Sequence, residues 1–160
     1  MVIVTAAAGA VRGGCLVGFH GQAGMHPLRY AVRLSKANHT YRVALFSEHL
    51  AVHAVDRRDG DLAGLFGSTT GDDTDKFADC EWVPGPGGVP LLVRCPSRIV
   101  IRRSAAIDDG SDHVSFVGDV VDAAFADGLE PLRLPVAERL NAGHPAEHRL
   151  VPRDLTARPD

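Results

Sequence analysis

Asp108-Asp109-Gly110 stands between two runs of β character, Arg98 to Ala106 and His113 to Asp122, and that interruption predicts a hairpin. Asp and Gly tolerate the backbone angles that tight turns need, so the two flanking runs become antiparallel neighbours. The second run alternates with period two. Val114, Phe116 and Val120 share one face with Gly118, while His113, Ser115, Val117 and Asp119 share the other. His113 at the strand entrance therefore points away from the apolar face, toward solvent, a ligand or a partner subunit. An exposed hairpin histidine would give the same pattern.

Further segments carry the same signal: Val2 to Ala7, Cys15 to Phe19, Arg29 to Leu34, Leu50 to Val55, Leu91 to Cys95 and Leu129 to Leu134. In Arg29 to Leu34, Tyr30, Val32 and Leu34 face one way and both arginines the other, as in a half-buried antiparallel strand. Helical patterns are few. Asn38 is a plausible N-cap for a helix over Asn38 to His49, and Asp59 to Phe66 and Asp73 to Phe77 read as short helices. Many short strands with small helices predict a mostly β chain, a barrel or a sandwich. The expected organisation is one domain over residues 1–134. From Pro135 the chain is rich in Pro, Arg, Glu and His without apolar periodicity, and residues 135–160 read as a polar tail, disordered or lying on a partner subunit.

A chain of 160 residues has room for a substantial core, and its charge of −3 with a pI near 6.2 disfavours a polyanion partner. No basic stripe is interleaved with aromatics, so nucleic-acid binding is not expected. No apolar run approaches the roughly 20 residues of a membrane span, and the apolar N-terminus lacks the positive region of a signal peptide. Cys15, Cys80 and Cys95 are odd in number and widely spaced, which fits a reduced, cytoplasmic chain.

Three stretches carry possible chemistry. Ser35-Lys36-Ala37-Asn38-His39-Thr40, between a strand and a helix, offers a lysine, three polar side chains and successive backbone N–H groups, an anion cradle or an ordinary helix cap. Gly13-Gly14-Cys15-Leu16-Val17-Gly18 either lets backbone approach a flat ligand or forms a tight hairpin. It is no dinucleotide fingerprint, because no helix follows the glycines. Lys76-Phe77, followed by Trp82 and a Gly/Pro turn, places a cation and an aromatic at a helix end, where Phe77 and Trp82 would equally serve as core plugs. His144 to His148 matches a zinc-peptidase string, but in the polar tail it has no room for a third ligand downstream. His49 and His53 straddle an expected helix end and strand, so a shared ligand face is not expected.

In order, these pieces are a Val-Ile-Val-Thr first strand, Gly-Gly-Cys-Leu-Val-Gly-Phe, Leu-Ser-Lys-Ala-Asn-His-Thr, Leu-Ala-Val-His-Ala-Val, Asp-Lys-Phe-x-x-Cys-x-Trp, Gly-Val-Pro-Leu-Leu and Gly-Ser-Asp-His-Val-x-Phe-Val-Gly-Asp-Val. From about Val2 to about Asp127 the chain resembles the flavin reductase-like, FMN-binding split-barrel family. The resemblance implies a split β-barrel homodimer with FMN or FAD in a groove near the subunit interface. It implies that the backbone of Cys15, Leu16, Val17 and Gly18 lines the flavin ring. Ser35, Lys36, Ala37, Asn38, His39 and Thr40 would hold the ribityl and phosphate groups. Lys76 and Phe77 match the family's pair near the flavin, and His113 matches the histidine beside the nicotinamide. The activity implied is NAD(P)H-dependent reduction of FMN or FAD, with no metal and no catalytic acid required, and reduced flavin commonly passes to a flavin-dependent monooxygenase. The deazaflavin F420 in the same groove and a non-catalytic flavin-storing or sensing protein are the alternatives. Two departures stand out. Family members often carry hydroxyls in the second strand, where this chain has Leu16 and Gly18, and the usual Pro-Pro is Met25-His26-Pro27-Leu28.

Overall fold

The computed structural model describes residues 1–133. The His144 to His148 string and the tail beyond Leu134 lie outside the described residues. Seven strands form one antiparallel sheet: β1 (Val2–Ala8), β2 (Val11–Val17), β3 (His20–Met25), β4 (Leu28–Ser35), β5 (His49–Ala54), β8 (Arg98–Asp108) and β9 (His113–Ala124), in spatial order β2-β1-β5-β8-β9-β4-β3. A two-stranded ribbon, β6 (Trp82–Pro84) with β7 (Pro90–Leu92), lies outside it. Helix α1 (His39–Ala44) and helix α2 (Gly60–Ser68) complete the chain with two 3₁₀ turns. The architecture is mostly β, antiparallel, with few short helices.

Apolar periodicity explains the layers. In β1 the run Val2 to Ala7 is buried on both faces: Val2, Val4 and Ala6 join the core under α1, while Ile3 joins a second core with Leu62, Phe66, Phe77 and Leu92 beneath α2. β9 alternates as its sequence does, with Val114, Phe116 and Gly118 buried and His113, Ser115, Val117 and Asp119 half-buried. The Asp108-Asp109-Gly110 turn closes β8 onto β9, with Gly110 at φ 86°. The N–H of Arg33 in β4 donates to the carbonyl of Phe19, just past β2, at 2.9 Å. That bond continues the β3–β4 ladder past His20 and Val32, and the short link from β2 to β3 brings the end of β2 beside β4.

Several boundaries differ from those the sequence predicts. Asn38 does cap α1, accepting from the Thr40 N–H at 2.9 Å, but the helix stops at Ala44 and His49 opens β5. The Ser47 hydroxyl donates back to the Val43 carbonyl, covering the helix end before the strand begins. The tight turn falls at Gly9-Ala10, so Gly13 and Gly14 lie inside β2 and β2 begins at Val11 rather than Cys15. The stretch after Asp73 forms only a 3₁₀ turn, Lys76–Ala78, capped by Asp75. Leu91 to Cys95 reduces to β7, and Leu129 to Leu134 to an isolated bridge between Asp56 and Pro131. His49 and His53 share one strand. His53 is fully buried: its Nδ1–H donates to Ile3 O at 3.1 Å, and its Nε2 accepts from the Leu92 N–H at 3.1 Å.

Candidate functional site

Where the sheet curls back, β2, β4, the entrance of β9 and the end of α2 enclose a surface cavity of about 200 Å³. Cys15, Leu16, Val17, Gly18 and Phe19 form one wall, Arg33, Leu34, Ser35 and Asn38 a second, and Phe66, Gly67 and Thr69 a third, with His113 at the mouth. Seven of the residues singled out in the sequence meet here: Cys15, Leu16, Val17, Gly18, Ser35, Asn38 and His113.

β2 is the terminal strand, paired with β1 alone among the described residues. Its Gly14 carbonyl points off the sheet, accepting from the Lys76 ammonium at 3.1 Å. Backbone groups two residues apart in an antiparallel strand point the same way, so the Leu16 N–H and C=O also face the open edge, inside the cavity. An open strand edge offers alternating donors and acceptors to anything flat that lies against it. Gly14 is required where it stands: a Cβ there would lie 2.4 Å from Cε1 of Phe66.

Ser35 and His113 are register partners across β4 and β9. The Nδ1–H of His113 donates to Asp112 Oδ1 at 2.8 Å, and its ring meets Phe19 edge-on with centroids 5.4 Å apart. That bond holds the Asp112 carboxyl below the ordinary carboxylate range. The imidazole is held by its Nδ1, which leaves Nε2 as the ring nitrogen not engaged by Asp112. Arg33, on the wall, donates through Nη2 to Asp109 at 2.8 Å and to Ser111 Oγ at 3.2 Å, tying β4 to the β8–β9 turn. Cys15 is buried, and burial pushes its thiol up to about 11, so it enters the cavity wall as an inert, uncharged group.

The other expected residues lie elsewhere. The Lys36 ammonium pairs with Asp108 at 2.8 Å and does not line the cavity. Ala37 donates its N–H to Ser35 Oγ at 3.3 Å, and Thr40 is buried under β2. His39, Lys76 and Phe77 line a second cavity, of about 340 Å³, bounded by Ala10 to Gly14 and by Gly71 to Asp75. Lys76 is 3% exposed, and its ammonium bridges the carbonyls of Gly14 and Phe66, at 3.1 and 3.2 Å. Burial lowers its pKa. It fastens β2 to α2, two walls of the first cavity. Sequence reasoning missed Phe19, Arg33, Leu34, Phe66, Gly67 and Thr69 on the walls of the first cavity. Arg33 carried a signal, since alternation placed it off the core, whereas nothing local marks the end of α2.

No helix among the described residues is long and apolar enough to cross a membrane. Residues 1–136 match the flavin reductase like domain. Over 100 residues the chain is 36% identical to the FMN reductase (NADH) SmoA of Agrobacterium fabrum, covering 61% of this chain and 54% of that protein. Over 107 residues it is 28% identical to the ferric-chelate reductase (NAD(P)H) of Archaeoglobus fulgidus, covering 66% and 63%. The chain thus spans a little more than half the length of these relatives. The solved NADH:FAD oxidoreductase SgcE6 of Streptomyces globisporus superposes with a TM-score of 0.74 at 20% identity, over 81% of this chain and 78% of that one, which establishes the shared fold. With the domain match running through every described residue, the protein belongs to the flavin reductase-like family.

Proposed function

We propose that this chain is an NAD(P)H-dependent flavin reductase that takes FMN or FAD in the β2–β4 groove. The observation that carries the reading is the open edge of β2 at Leu16, facing Ser35, Asn38 and His113 across one cavity. That arrangement fits a flavin: backbone donors and acceptors for the edge of a planar heterocycle, apolar walls for its faces, and hydroxyl and amide groups for its side chain. The flavin, when bound, supplies the hydride-accepting chemistry.

The chain's residues bind, orient and exclude water. Leu16 presents backbone groups to the ring edge. Phe66 and Phe19 shield the groove, and His113, held by Asp112, positions the nicotinamide cofactor over it. Ser35 and Asn38 on the groove wall would meet ribityl and phosphate groups, with Lys36 beside them on the same turn, and Lys76 would hold the β2 edge in place from behind.

A cavity of about 200 Å³ falls below the roughly 300–1,000 Å³ of an enclosing ligand site. A second wall from a partner subunit would complete it, which supports a homodimer with the curled sheet closing as a split barrel. Exposed apolar side chains beside an apolar hollow formed by Val2, Tyr30, Val52 and Ile99, among them Phe125 at 82%, supply the surface for that pairing. An open groove also suits a flavin that leaves once reduced, for a flavin-dependent monooxygenase to consume. The reading takes the chain as cytoplasmic, with Cys15, Cys80 and Cys95 as free thiols.

The deciding experiment is to add FMN and FAD in turn to the purified chain, follow oxidation of NADH and NADPH, and record the visible spectrum. Nicotinamide oxidation that requires added flavin supports the reading. A spectrum of F420, or flavin bound without turnover, replaces it.

A further inference from the structure

Arg33 reaches both supports of the His113 ring. Its backbone N–H donates to the carbonyl of Phe19 at 2.9 Å, and the Phe19 ring meets the imidazole edge-on with centroids 5.4 Å apart. Its side chain crosses to the turn before β9, where Nη2 donates to Asp109 Oδ2 at 2.8 Å and to Ser111 Oγ at 3.2 Å. Ser111 Oγ in turn donates to the His113 carbonyl at 3.1 Å and accepts the His113 N–H at 3.4 Å. One hydroxyl thus joins the guanidinium to the backbone of the histidine.

The surrounding groups strengthen this brace. Ser111 and then Arg33 hold the Asp109 carboxyl down to about 2, so its charge persists at neutral pH. The Arg33 charge also reaches Asp112, whose carboxylate takes the imidazole Nδ1–H. Lys36 ties down the rest of the turn: its N–H donates to the Asp112 carbonyl at 2.9 Å and its ammonium to Asp108 at 2.8 Å. Both side-chain hydrogen bonds of Arg33 leave from Nη2, while its Nε is enclosed without a partner and offers nothing to a ligand in the groove. The hydrogens of one guanidinium nitrogen lie in a fixed plane, so Asp109 and Ser111 are held at a set angle to each other.

We propose that Arg33 is a positioning residue, which sets the His113 imidazole at the groove mouth by fixing Phe19 on one side and the Asp109–Ser111 turn on the other. A side chain that orients a ligand does so only when its own rotamer is held by its neighbours. This role rests on the reading of His113 as the group that orients the nicotinamide cofactor, and it is exerted through His113 rather than on the ligand.

Proton NMR of the ligand-free protein tests it, with the His113 imidazole resonances assigned against His113→Ala. The Phe19 ring current shifts these resonances, so Arg33→Gln, Asp109→Asn and Ser111→Ala should each move them. Ser111→Thr, which keeps the hydroxyl, should leave them in place. In steady-state assays at saturating flavin, Arg33→Gln and Asp109→Asn should each raise KM for the reduced nicotinamide cofactor about three- to tenfold, with kcat held within about twofold. The double variant should be no worse than either single one, because both break the same chain of contacts. Imidazole resonances that stay in place in Arg33→Gln, Asp109→Asn and Ser111→Ala overturn the proposal. So does an Arg33→Gln effect confined to FMN affinity with riboflavin spared, which would put the guanidinium on the flavin phosphate. Resonances that move while KM stays constant keep Arg33 as the residue that sets His113 and remove the nicotinamide role of that histidine, so the two failures are distinguishable.

Discussion

Ser35 and His113 face each other as register partners across β4 and β9, and both line the β2–β4 groove. One comes from the end of a strand, the other from the start of its neighbour, so the hairpin turn before His113 sets the width of the groove mouth. If His113 positions the nicotinamide, His113→Ala should raise KM for the reduced cofactor about tenfold and leave flavin affinity nearly unchanged. Steady-state kinetics at saturating flavin, with a separate flavin titration, check this. A fall in kcat that depends on pH would make His113 an acid instead.

On the proposed reading, Lys36 meets the flavin phosphate. Lys36→Ala should weaken FMN about tenfold or more while riboflavin loses little, because FMN alone carries the charge. Asp108→Asn, which frees the ammonium from its 2.8 Å partner, should strengthen FMN. Equal changes for both ligands would confine Lys36 to bracing the β8–β9 turn.

Stability should depend on His53. Burial pushes its pKa down to about 4, with the bond to Ile3 opposing and the charge of Arg98 adding. The unfolded chain takes up this proton near pH 6.5 and the native chain only near 4. The stabilisation is therefore complete above about pH 6.5 and is lost progressively as pH falls to about 4, about 3 kcal/mol in order of magnitude. Denaturant titrations at pH 7 and 4.5 measure it, and His53→Gln should flatten that slope.

Gly14→Ala tests the floor of the groove. Its Cβ would meet the Phe66 ring at 2.4 Å and the Phe77 ring at 3.1 Å. Forcing those rings away should cost about 1–3 kcal/mol by thermal unfolding. It should also abolish tight flavin binding, since Phe66 is a wall of the cavity.

Residues whose signals are local were legible in the sequence. The two faces of β9, the cap at Asn38 and the Asp-Asp-Gly turn each follow from a few adjacent residues, and His113 emerged off the core as alternation demanded. β3 was not legible. His20 to Met25 carries two glycines and no apolar alternation, and it is a strand because β4 pairs with it. Lys36 and Lys76 show a further limit. A sequence places a cation beside a turn or a helix, but the partner that claims it comes from the fold: Asp108 for one, the Gly14 and Phe66 carbonyls for the other.

The strand order has a consequence for how the chain is made. Hairpins β1–β2 and β3–β4 leave the ribosome early, yet they are joined through β5, β8 and β9, so β4 waits for β9, far downstream, before it has a neighbour on its inner side. Closing such distant pairs is slow. The groove lies between the two early hairpins and exists only after the last strand has arrived. A nascent chain would therefore have no groove to offer a ligand until β9 has been made, and ligand capture would report a finished sheet.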